Sequence, residues 1–462
     1  MTGPRVRPRH RSRLLLAWLL PAALVACGGP PTPSPMASGT AVTASQSADA
    51  SQGPIGQVIA APGSDSSVYA PNPGALVVAI DAGHGGCLDW GVPDPRQRGV
   101  RYSEKAMTLA ISQQLQAMLE AQGVTVVVTR DNDAALAGDD YPDLGCHGLP
   151  WRDVNGDGES GFDPEGAIRT RDELQARLDL ANLARADALV SIHINSLTEN
   201  GVVFDIAATE TFYTDETPWG VDVTAPLAQA IQDGVVDEMD AVANYRRQDR
   251  GIQAHNLYIV APPLLETTPD RPDPRMQPTR GALMPSVLTE VGSITHQAEQ
   301  DLLASEAGQQ AAAQGIFDAL QGLFADRSRG AAYLVPALEP APGTVPAAVA
   351  GDGPMFWAPV APAGPLTVRL TNTGTDPWPA DLALVGGWEE SDQPYLRVPP
   401  AALDPLLGEP LPSLAPGESV DVAVTPPNDD PTARGVAWIT IQQGERAWTE
   451  LGIAALQVAT GD

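Results

Sequence analysis

The sequence is poor in positive charge, because its 462 residues include only 27 lysines and arginines against 57 aspartates and glutamates. The resulting net charge of −30 argues against a nucleic-acid partner, since binding to phosphates requires a basic surface. A surplus of acidic residues helps to keep a protein soluble but says nothing about its fold. The length, in contrast, is sufficient for more than one domain with a sizeable buried core.

The apolar run near the N-terminus is too short to span a bilayer comfortably. It reads LLLAWLLPAALVA, follows the basic stretch RVRPRHRSR and ends in LVAC. An export signal is therefore the better interpretation. LVAC resembles a bacterial lipobox, and this resemblance implies that residues 1–27 are a lipoprotein signal peptide cleaved before Cys27, whose sulfur then carries lipid.

A lipidated Cys27 would anchor the chain to a bacterial membrane, because two acyl chains are enough for firm anchoring. The mature protein would then work outside the cytoplasm, in the cell envelope. An ordinary secreted or membrane-anchored protein is the alternative.

Cysteine is scarce as well, with three residues in the whole chain. Without Cys27, the pair Cys87 and Cys146 remains, which is an even number in an oxidising compartment. A disulfide between them is one interpretation, although the sequence cannot test its geometry. A cysteine metal ligand is the less favoured alternative.

Composition divides the rest of the chain into four segments. Residues 28–73 are rich in Pro, Ser, Ala and Gly without apolar periodicity, which predicts a flexible tether. Residues 329–351 form a second break and are expected to be a linker. A large domain over 74–328 lies between these breaks, and a smaller one follows over 352–462.

Strand and helix patterns alternate over 74–328, which predicts an α/β fold with a mostly parallel sheet flanked by helices. Helices are expected over 103–123, with Ser103 as N-cap, over 170–186, with a capping box of Thr170 and Glu173, and over 298–324. The expected strands are ALVVAID, VTVVVTR, DALVSIHIN, FYT, NLYIV and MPSVLTEVG.

The pattern changes in the last segment to short alternating runs separated by Pro and Gly turns. LTVRLTNTGTDPW, ESVDVAVTPP and RGVAWITIQQG are such runs, and they predict a small all-β sandwich over 352–462. This segment also holds five tryptophans, most of which are expected in the core: Trp357, Trp378, Trp388, Trp438 and Trp448.

Two histidines follow or end predicted strands, His84 after VVAID and His193 in SIHINS. Ligands of open α/β sheets bind at the carboxyl ends of strands, so both side chains can enter one crevice. Glu104 begins the helix after the first histidine, and Glu290 ends a third strand. Two histidines and one glutamate are the ligand set of a catalytic zinc, and a further carboxylate can handle protons.

Each of these residues also has a structural interpretation. Glu104 alone is more often a surface acid favoured by the helix dipole, and His193 alone is more often a core histidine. Glu290 is harder to dismiss, because a buried carboxylate without a partner is costly. The four residues together point to function more strongly than any one of them.

Four stretches resemble the zinc-dependent N-acetylmuramoyl-L-alanine amidases of bacterial cell-wall turnover, often called amidase type 3. They are AIDAGHGG, SEKAMTLAISQQLQAMLEAQGVTVVVTR, RLDLANLARADALVSIHINS and SVLTEVGSIT, and they arrive in the order of the family. The resemblance covers most of residues 75–325. It implies that peptidoglycan is the substrate.

The resemblance also implies a role for each residue. His84, Glu104 and His193 match the zinc ligands of the family, and Glu290 matches its catalytic glutamate. Zinc would polarise the lactyl amide carbonyl and lower the pKa of water, while Glu290 would move a proton from the water to the departing alanine nitrogen. Two further residues in family-like contexts, Asn195 and Arg130, are interpreted as structural or supporting groups.

Residues 138–168 are interpreted as an insertion that departs from the family. Within it, DVNGDGESGFD resembles a calcium loop, although an EF-hand would require glutamate where Pro164 stands. An acidic surface loop is the alternative. A disulfide from Cys87 would pin this insertion beside the HGG turn, where it could shape substrate entry. The expected calcium ligands are Asp153, Asn155, Asp157 and Asp163.

Several features have no specific function assigned to them. The proline-rich stretch 261–282 is interpreted as a solvent loop, with an inhibitory element as the alternative. His147, His255 and His296 are expected to be solvated or capping residues. NTGTDPW resembles an Ig-like module, which suggests adhesion or cell-wall targeting.

Three functions are compatible with these patterns. The leading hypothesis is a lipoprotein zinc amidase, which could require a protein activator. The same metal could serve another amide, as in a carboxypeptidase or deacetylase. A silent wall-binding scaffold is the third, and the presence of Glu290 counts against it.

Overall fold

The structure, a computed structural model, describes residues 76–138, 145–146, 152–155, 171–199, 202–215, 221–261, 281–325, 327–337, 364–391, 400, 402–428 and 433–460. The tether 28–73 and the lipobox cysteine Cys27 lie outside them.

The N-terminal part of the described chain combines strands with five helices. The strands are β1 (Val77–Ala82), β2 (Thr125–Val128), β3 (Ala188–Asn195), β4 (Thr198–Glu199), β5 (Val202–Val203), β6 (Ala208–Tyr213), β7 (Gln248–Ala254) and β8 (Ser286–Ser293). The helices are α1 (Glu104–Ala121), α2 (Arg171–Leu183), α3 (Val221–Val242), α4 (Gln297–Leu303) and α5 (Glu306–Ala325).

Six of these strands form one sheet in the order β2-β1-β3-β8-β6-β7. The pairs of β1 with β2 and β3, of β3 with β8 and of β6 with β7 are parallel, whereas β6 runs antiparallel to β8. Both faces of the sheet are covered by helices, as a mostly parallel sheet requires. The α/β prediction for this part of the chain is confirmed.

Alternate residues of β1 are buried on opposite faces of the sheet. Val78 and Ile80 join the core formed with α1, α3 and α5, whereas Val77 and Ala79 join the core formed with α2. Because a strand presents successive side chains to opposite faces, an uninterrupted apolar run is needed here. The carboxyl end of β1 is thereby fixed from both sides.

Two predicted elements differ from those in the structure. The stretch NLYIV, predicted as a strand, forms a hydrogen-bonded turn over Leu257–Ala261, in which the amides of Val260 and Ala261 donate to the carbonyl of Leu257. Its side chains still pack into the core, so burial alone produced the apolar run. The helix predicted over 298–324 is divided into α4 and α5.

Helix α3 and strand β7 were not among the predicted elements. Pro226 lies inside α3, and proline is an unfavourable residue there because it lacks the amide proton. A periodic signal was nevertheless present, since four apolar residues recur every fourth position and all are buried: Leu227, Ile231, Val235 and Met239.

The C-terminal part of the described chain is all-β. Its strands are β9 (Ala331–Leu334), β10 (Leu366–Asn372), β11 (Leu382–Glu390), β12 (Asp404–Pro405), β13 (Ser419–Val424), β14 (Gly435–Gln443), β15 (Arg446–Ala447) and β16 (Leu456–Thr460). One sheet has the order β13-β10-β9, and the other has the order β12-β11-β14-β15 with β16 also paired to β14. All of these pairings are antiparallel.

The two antiparallel sheets share one apolar core. It combines Leu366, Val368 and Leu370 of the first sheet with Ile439 and Ile441 of the second. Three of the tryptophans are buried, Trp388 is partly buried, and Trp357 lies outside the described residues; the buried ones are Trp378, Trp438 and Trp448. The Ig-like assignment of this part stays a prediction.

The predicted linker 329–351 needs a correction at its N-terminal end. Strand β9 lies within it and pairs antiparallel with β10, from Leu334 opposite Arg369 to Ala331 opposite Asn372. The indole of Trp378 donates a 3.0 Å hydrogen bond to the carbonyl of Gly330, just before this strand. The all-β part therefore begins earlier than composition indicated.

Within the described part of the chain, none of the helices combines the length and the apolar character needed to cross a membrane.

Helices α3 and α5 approach each other through two glycines. A Cβ atom on Gly315 would collide with the backbone carbonyl group of Gly234, and the reverse substitution would produce the same collision. We expect Gly315→Ala to lower the free energy of unfolding by roughly 1–3 kcal/mol through overpacking. Urea unfolding followed by circular dichroism measures this.

Gly322 is the matched control, because it lies in the same helix with open space around its Cα atom. Gly322→Ala should raise the free energy of unfolding by about 0.5–1 kcal/mol, as alanine does in an exposed helix. Equal effects of the two substitutions would contradict the close helix contact.

Candidate active site

Three of the predicted ligands meet at the carboxyl ends of β1 and β3. His84 follows β1, His193 lies near the end of β3, and Glu104 is the first residue of α1. One ligand atom from each residue lies within 4.8 Å of the others. Glu104 Oε1 is 3.2 Å from His84 Nε2 and 3.1 Å from His193 Nδ1. A single carboxylate oxygen therefore contacts both imidazoles.

The backbone at His84 adopts the left-handed conformation, with φ of 63°. This costs a non-glycine residue on the order of 1–3 kcal/mol, so the surrounding structure must hold it. Arg177 Nη2 donates a 2.7 Å hydrogen bond to the carbonyl of His84. The amides of Gly83 and Gly85 donate to the carbonyls of Ile192 and Asp89 at 3.0 and 2.8 Å. The turn is thus shaped to present the imidazole.

The His84 ring is oriented by a carboxylate that the sequence analysis did not single out. Asp89 Oδ1 lies 2.7 Å from His84 Nδ1, on the opposite side of the ring from Glu104. A carboxylate in this position fixes the tautomer and leaves Nε2 for a ligand. Burial would lower the pKa of His84, but the charges of Asp89 and Glu104 outweigh burial and hold that pKa well above its ordinary value.

Glycine is required at two positions around these side chains. A Cβ atom on Gly91 would collide with the Glu104 carboxylate and the His84 ring. A Cβ atom on Gly83 would lie 2.5 Å from His193 Nε2. The two backbone segments therefore approach the cluster as closely as they can.

Glu104 is held by the backbone as well as by the histidines. Its Oε2 accepts a 2.8 Å hydrogen bond from the amide of Val92, and its Oε1 accepts one of 3.0 Å from the amide of Ile194. Burial would raise the pKa of Glu104, but the two histidines and their hydrogen bonds lower it well below its usual range. Glu104 is therefore an anion, as a metal ligand must be.

A buried arginine connects the turn to the sheet and to α2. Arg177 Nη1 donates to Asp81 Oδ1 and to the carbonyl of Ala82, both at 2.8 Å. Its Nε and Nη2 donate to Glu173 Oε1 at 2.9 and 2.7 Å. With its bond to the carbonyl of His84, Arg177 contacts three residues at the end of β1. The sequence signal for this pair is the spacing of four residues between Glu173 and Arg177, which places the two side chains next to each other on α2.

Asp81 supports this arrangement from inside the sheet. Its carboxylate also accepts hydrogen bonds from Ser191 Oγ at 2.6 Å and Thr129 Oγ1 at 2.7 Å. Burial would raise its pKa, but Arg177 and the hydrogen bonds outweigh burial and lower the pKa to about 2. The carboxylate stays charged at any ordinary pH.

Glu290 lies opposite His193 in the register of β3 and β8. Its Oε2 atom is buried and has no hydrogen-bond partner among the residues that the structure describes. Burial, together with the negative charges of Glu104 and Glu210, raises the pKa of Glu290 well above its ordinary value. A carboxyl group of this kind can hold a proton and release it to a neighbouring atom.

The chemistry of the donor set fits a zinc ion. Two imidazole nitrogens and one carboxylate oxygen are the three protein ligands of a catalytic zinc site, which leaves one position open. The unpartnered oxygen of Glu290 is the second observation in favour, because an unbonded buried polar atom is costly unless a ligand or water completes it. The residues present therefore fit one such cation.

Arg130 and Asn195 support the site through backbone contacts. Arg130 donates to the carbonyls of Ala82, Gly83 and Lys105 at 2.8, 3.0 and 2.7 Å. Asn195 accepts a 2.8 Å hydrogen bond from the amide of Ile294 through its carbonyl. Arg130 thereby joins the His84 turn to the first turn of α1.

Cys87 and Cys146 are joined by a disulfide, with their Cα atoms 6.0 Å apart. Of the expected calcium ligands, Asp153 and Asn155 are described, whereas Asp157 and Asp163 lie outside the described residues. The amides of Val154 and Asn155 donate to Asp172 Oδ1 at 2.8 and 3.0 Å, which fastens this loop to α2. Calcium stays a prediction.

The remaining histidines lie away from the cluster or outside the described residues. His296 caps α4, since its Nδ1 accepts a 3.2 Å hydrogen bond from the amide of Glu299. The His255 ring lies 6.2 Å from the ring of Phe212. His147 and most of the stretch 261–282 are outside the described residues.

A protein-family model described as N-acetylmuramoyl-L-alanine amidase, Amidase_3, matches residues 78–322, which is just over half of the chain. The chain belongs to this family. By class it is therefore a cell-wall amidase, in agreement with the site. The matched residues include all of the elements that carry His84, Glu104, His193 and Glu290.

The chain is also similar to individual proteins. The uncharacterized protein YqiI of Bacillus subtilis (strain 168) is 26% identical over 247 residues, covering 54% of this chain and 84% of the relative. The germination-specific N-acetylmuramoyl-L-alanine amidase of the same strain is 23% identical over 251 residues, covering 54% and 81%. The crystal structure of an N-acetylmuramoyl-L-alanine amidase from Clostridium difficile 630 is 25% identical, with a TM-score of 0.37, and covers 55% and 98%.

Removal of the buried arginine should be costly. We expect Arg177→Ala to lower the free energy of unfolding by roughly 3–5 kcal/mol, because Asp81 and Glu173 would lose the cation that compensates them. Arg369→Ala is the control, since Arg369 pairs with Asp421 on the surface and should cost less than about 1 kcal/mol. Urea unfolding distinguishes the two, and similar losses would contradict the role of burial.

The stability contributed by Asp81 should depend on pH. Its folded pKa of about 2 lies below the ordinary 3.8, so the contribution is present above pH 3.8 and is lost as the pH falls towards 2. The difference in unfolding free energy between wild type and Asp81→Asn should reach about 2 kcal/mol or more near neutral pH. This difference in unfolding free energy should decrease as the pH falls below 4, as measured by urea unfolding at a series of pH values. A difference independent of pH would contradict the shift.

Proposed function

We propose that this protein is a zinc-dependent N-acetylmuramoyl-L-alanine amidase, which hydrolyses the amide bond between N-acetylmuramic acid and L-alanine in peptidoglycan. The observation that carries the proposal is the buried, unpartnered Oε2 of Glu290 beside the cluster of His84, Glu104 and His193. Membership of the amidase family supplies the substrate class.

His84, Glu104 and His193 would hold the zinc ion. Zinc bound there supplies Lewis-acid chemistry to an amide carbonyl and to water. Asp89 keeps the His84 ring in the tautomer that leaves Nε2 for the metal, and Arg177 holds the backbone of the turn. These residues thus fix the site before substrate arrives.

Glu290 moves the proton. In the proposed reaction it takes a proton from the attacking water, and the water oxygen forms a bond with the lactyl carbonyl carbon. Glu290 then delivers that proton to the alanine nitrogen as the carbon–nitrogen bond breaks. The products are a glycan strand with a free lactyl carboxylate and a stem peptide with a free amine.

The finer features of the chain complete the proposal. Lipid on Cys27 would hold the enzyme to a bacterial membrane in the cell envelope, and the tether 28–73 would give it reach. The all-β part would act as an Ig-like wall-targeting module. Calcium, bound by the loop that includes Asp153 and Asn155, would order the insertion. An activator protein could be required.

A silent wall-binding scaffold is the second candidate, and Glu290 is the feature that disfavours it. A protein that only binds cell wall has no need to bury an unpartnered carboxyl beside two histidines, since burial of such a group costs free energy. Zinc content and hydrolysis together separate the two functions.

The proposal is tested by digestion of purified peptidoglycan with the full-length chain. We expect intact glycan strands and stem peptides with a free L-alanine amine, identified by mass spectrometry, and loss of these products with a zinc chelator. Glu290→Gln should lower kcat by roughly 10²–10⁴-fold with zinc content unchanged. His193→Ala should lose zinc.

Glu389→Gln is the control, because Glu389 is a partly buried glutamate on a strand of the all-β part. It should keep both zinc and activity. Bound zinc without hydrolysis would indicate a missing activator or an inhibited state, whereas neither zinc nor hydrolysis would contradict the proposed function and favour the scaffold.

A further inference from the structure

A row of charged side chains crosses four neighbouring strands from the zinc cluster to the edge of the sheet. His193 on β3 is in register with Glu290 on β8, and Glu290 is in register with Glu210 on β6. Residues in register lie side by side across a sheet and point to the same face. Arg250, on the edge strand β7, is bonded to Glu210 and ends the row.

A bulge places Arg250 in this row. Between Thr209 and Thr211 of β6 the partner strand advances from Asp249 to Ile252, so β7 has one extra residue opposite Glu210. Gly251 in the bulge has φ of 71°, and its amide donates a 2.8 Å hydrogen bond to Asp249 Oδ1. Bulges re-aim side chains and recur beside active sites.

One nitrogen of the Arg250 guanidinium is hydrogen-bonded, and the other two are available to a ligand. Its Nε donates a 3.1 Å hydrogen bond to Glu210 Oε2, and the described residues offer its two terminal nitrogens no partner. The side chain of Arg250 is 42% exposed, whereas that of Glu210 is only 8% exposed. The buried carboxylate therefore orients a guanidinium whose outer edge faces solvent.

Four other cations near the site are buried and have no such exposed edge. Arg177 and Arg130 are buried and bonded to backbone carbonyls of the His84 turn. Arg247 is buried against Glu299, and Lys105 is buried with its ammonium on the carbonyl of Gly86. In a chain of net charge −30, this half-exposed cation two strands from Glu290 is suited to bind an anion.

We propose that Arg250 binds the free carboxylate on the second residue of the stem peptide. This inference rests on the proposed function, in which the scissile amide lies at Glu290. Neighbouring strands are about 4.8 Å apart, so β7 lies roughly 10 Å from β8. An extended peptide advances about 3.3 Å per residue, and the Arg250 side chain reaches back towards Glu210. A residue or two beyond the scissile amide therefore comes within reach of its guanidinium.

The chemistry of the stem agrees with this position. The residue after L-alanine is glutamate linked through its side-chain carboxyl, so its α-carboxyl is free as a carboxylate or blocked as a carboxamide. The outer edge of a guanidinium presents parallel N–H groups that match a carboxylate, and a carboxamide accepts only part of that pattern. Arg250 would thus make the enzyme select stems that carry the free acid.

The test compares two synthetic glycan fragments whose stems differ only in that group. Each carries L-alanyl-D-glutamate with the side-chain carboxyl capped as a methylamide, and the α-carboxyl is free in one and a carboxamide in the other. We expect the full-length wild-type chain to prefer the free acid in kcat/KM by roughly 10- to 100-fold. Arg250→Gln should bring this ratio close to one, and Arg250→Lys should restore part of it.

Arg369→Gln is the matched control, because Arg369 is also 42% exposed and bonded to a carboxylate, that of Asp421 in the all-β part. It should keep the wild-type ratio. A wild-type ratio near one would overturn the inference, and so would an unchanged ratio in Arg250→Gln, which would mean that Arg250 only compensates Glu210. Hydrolysis of either fragment by wild type would still support the amidase.

Binding provides a measurement that does not depend on turnover. Titration calorimetry of the same two fragments with zinc-loaded Glu290→Gln should show the same preference, and the double variant with Arg250→Gln should lose it. Equal binding of both fragments to Glu290→Gln would contradict the inference even if no hydrolysis were detected.

Discussion

The site depends on the interaction of the Arg177 guanidinium with the end of β1. One planar cation neutralises Asp81 and Glu173 and donates hydrogen bonds to the carbonyls of Ala82 and His84. Five N–H groups in a fixed fork can serve several acceptors at once, which an ammonium group does poorly. This buried cation is one of the groups that hold the left-handed turn at His84 against its conformational cost.

The cluster of His84, Glu104 and His193 follows from the topology of the sheet. In a sheet with β1 and β3 as parallel neighbours, the ends of these strands meet at one edge, and α1 begins there because it follows β1. Glu290 arrives from the next parallel strand in register with His193. Each group comes from a different element, so the geometry forms only when the sheet does.

This topology explains why the sequence could indicate that these four residues lie close together. His84, His193 and Glu290 each stand at the end of an apolar run, and position relative to a strand end is a local signal. Asp89 and Arg177 were missed because their roles depend on which atoms they approach. Arg177 looks like an ordinary surface residue of a helix, and burial cannot be read from its identity.

Contacts that local sequence does not reveal also explain the errors in the predicted fold. NLYIV is apolar because it fills the core beside α2, and composition cannot tell a buried turn from a buried strand. Strand β9 was hidden in a Pro- and Ala-rich stretch, since its pairing partner β10 lies more than thirty residues further along the chain. Pairing between distant segments leaves no trace in either one alone.

The bulge in β7 has a consequence beyond the site. β7 is an edge strand, and an edge presents unpaired backbone groups on which another chain can add a strand. The extra residue at Gly251 breaks the regular spacing of those groups, and Asp249 and Arg250 place opposite charges there. One irregularity therefore orients the Arg250 side chain towards Glu210 and also makes this edge of the sheet a poor template for another strand.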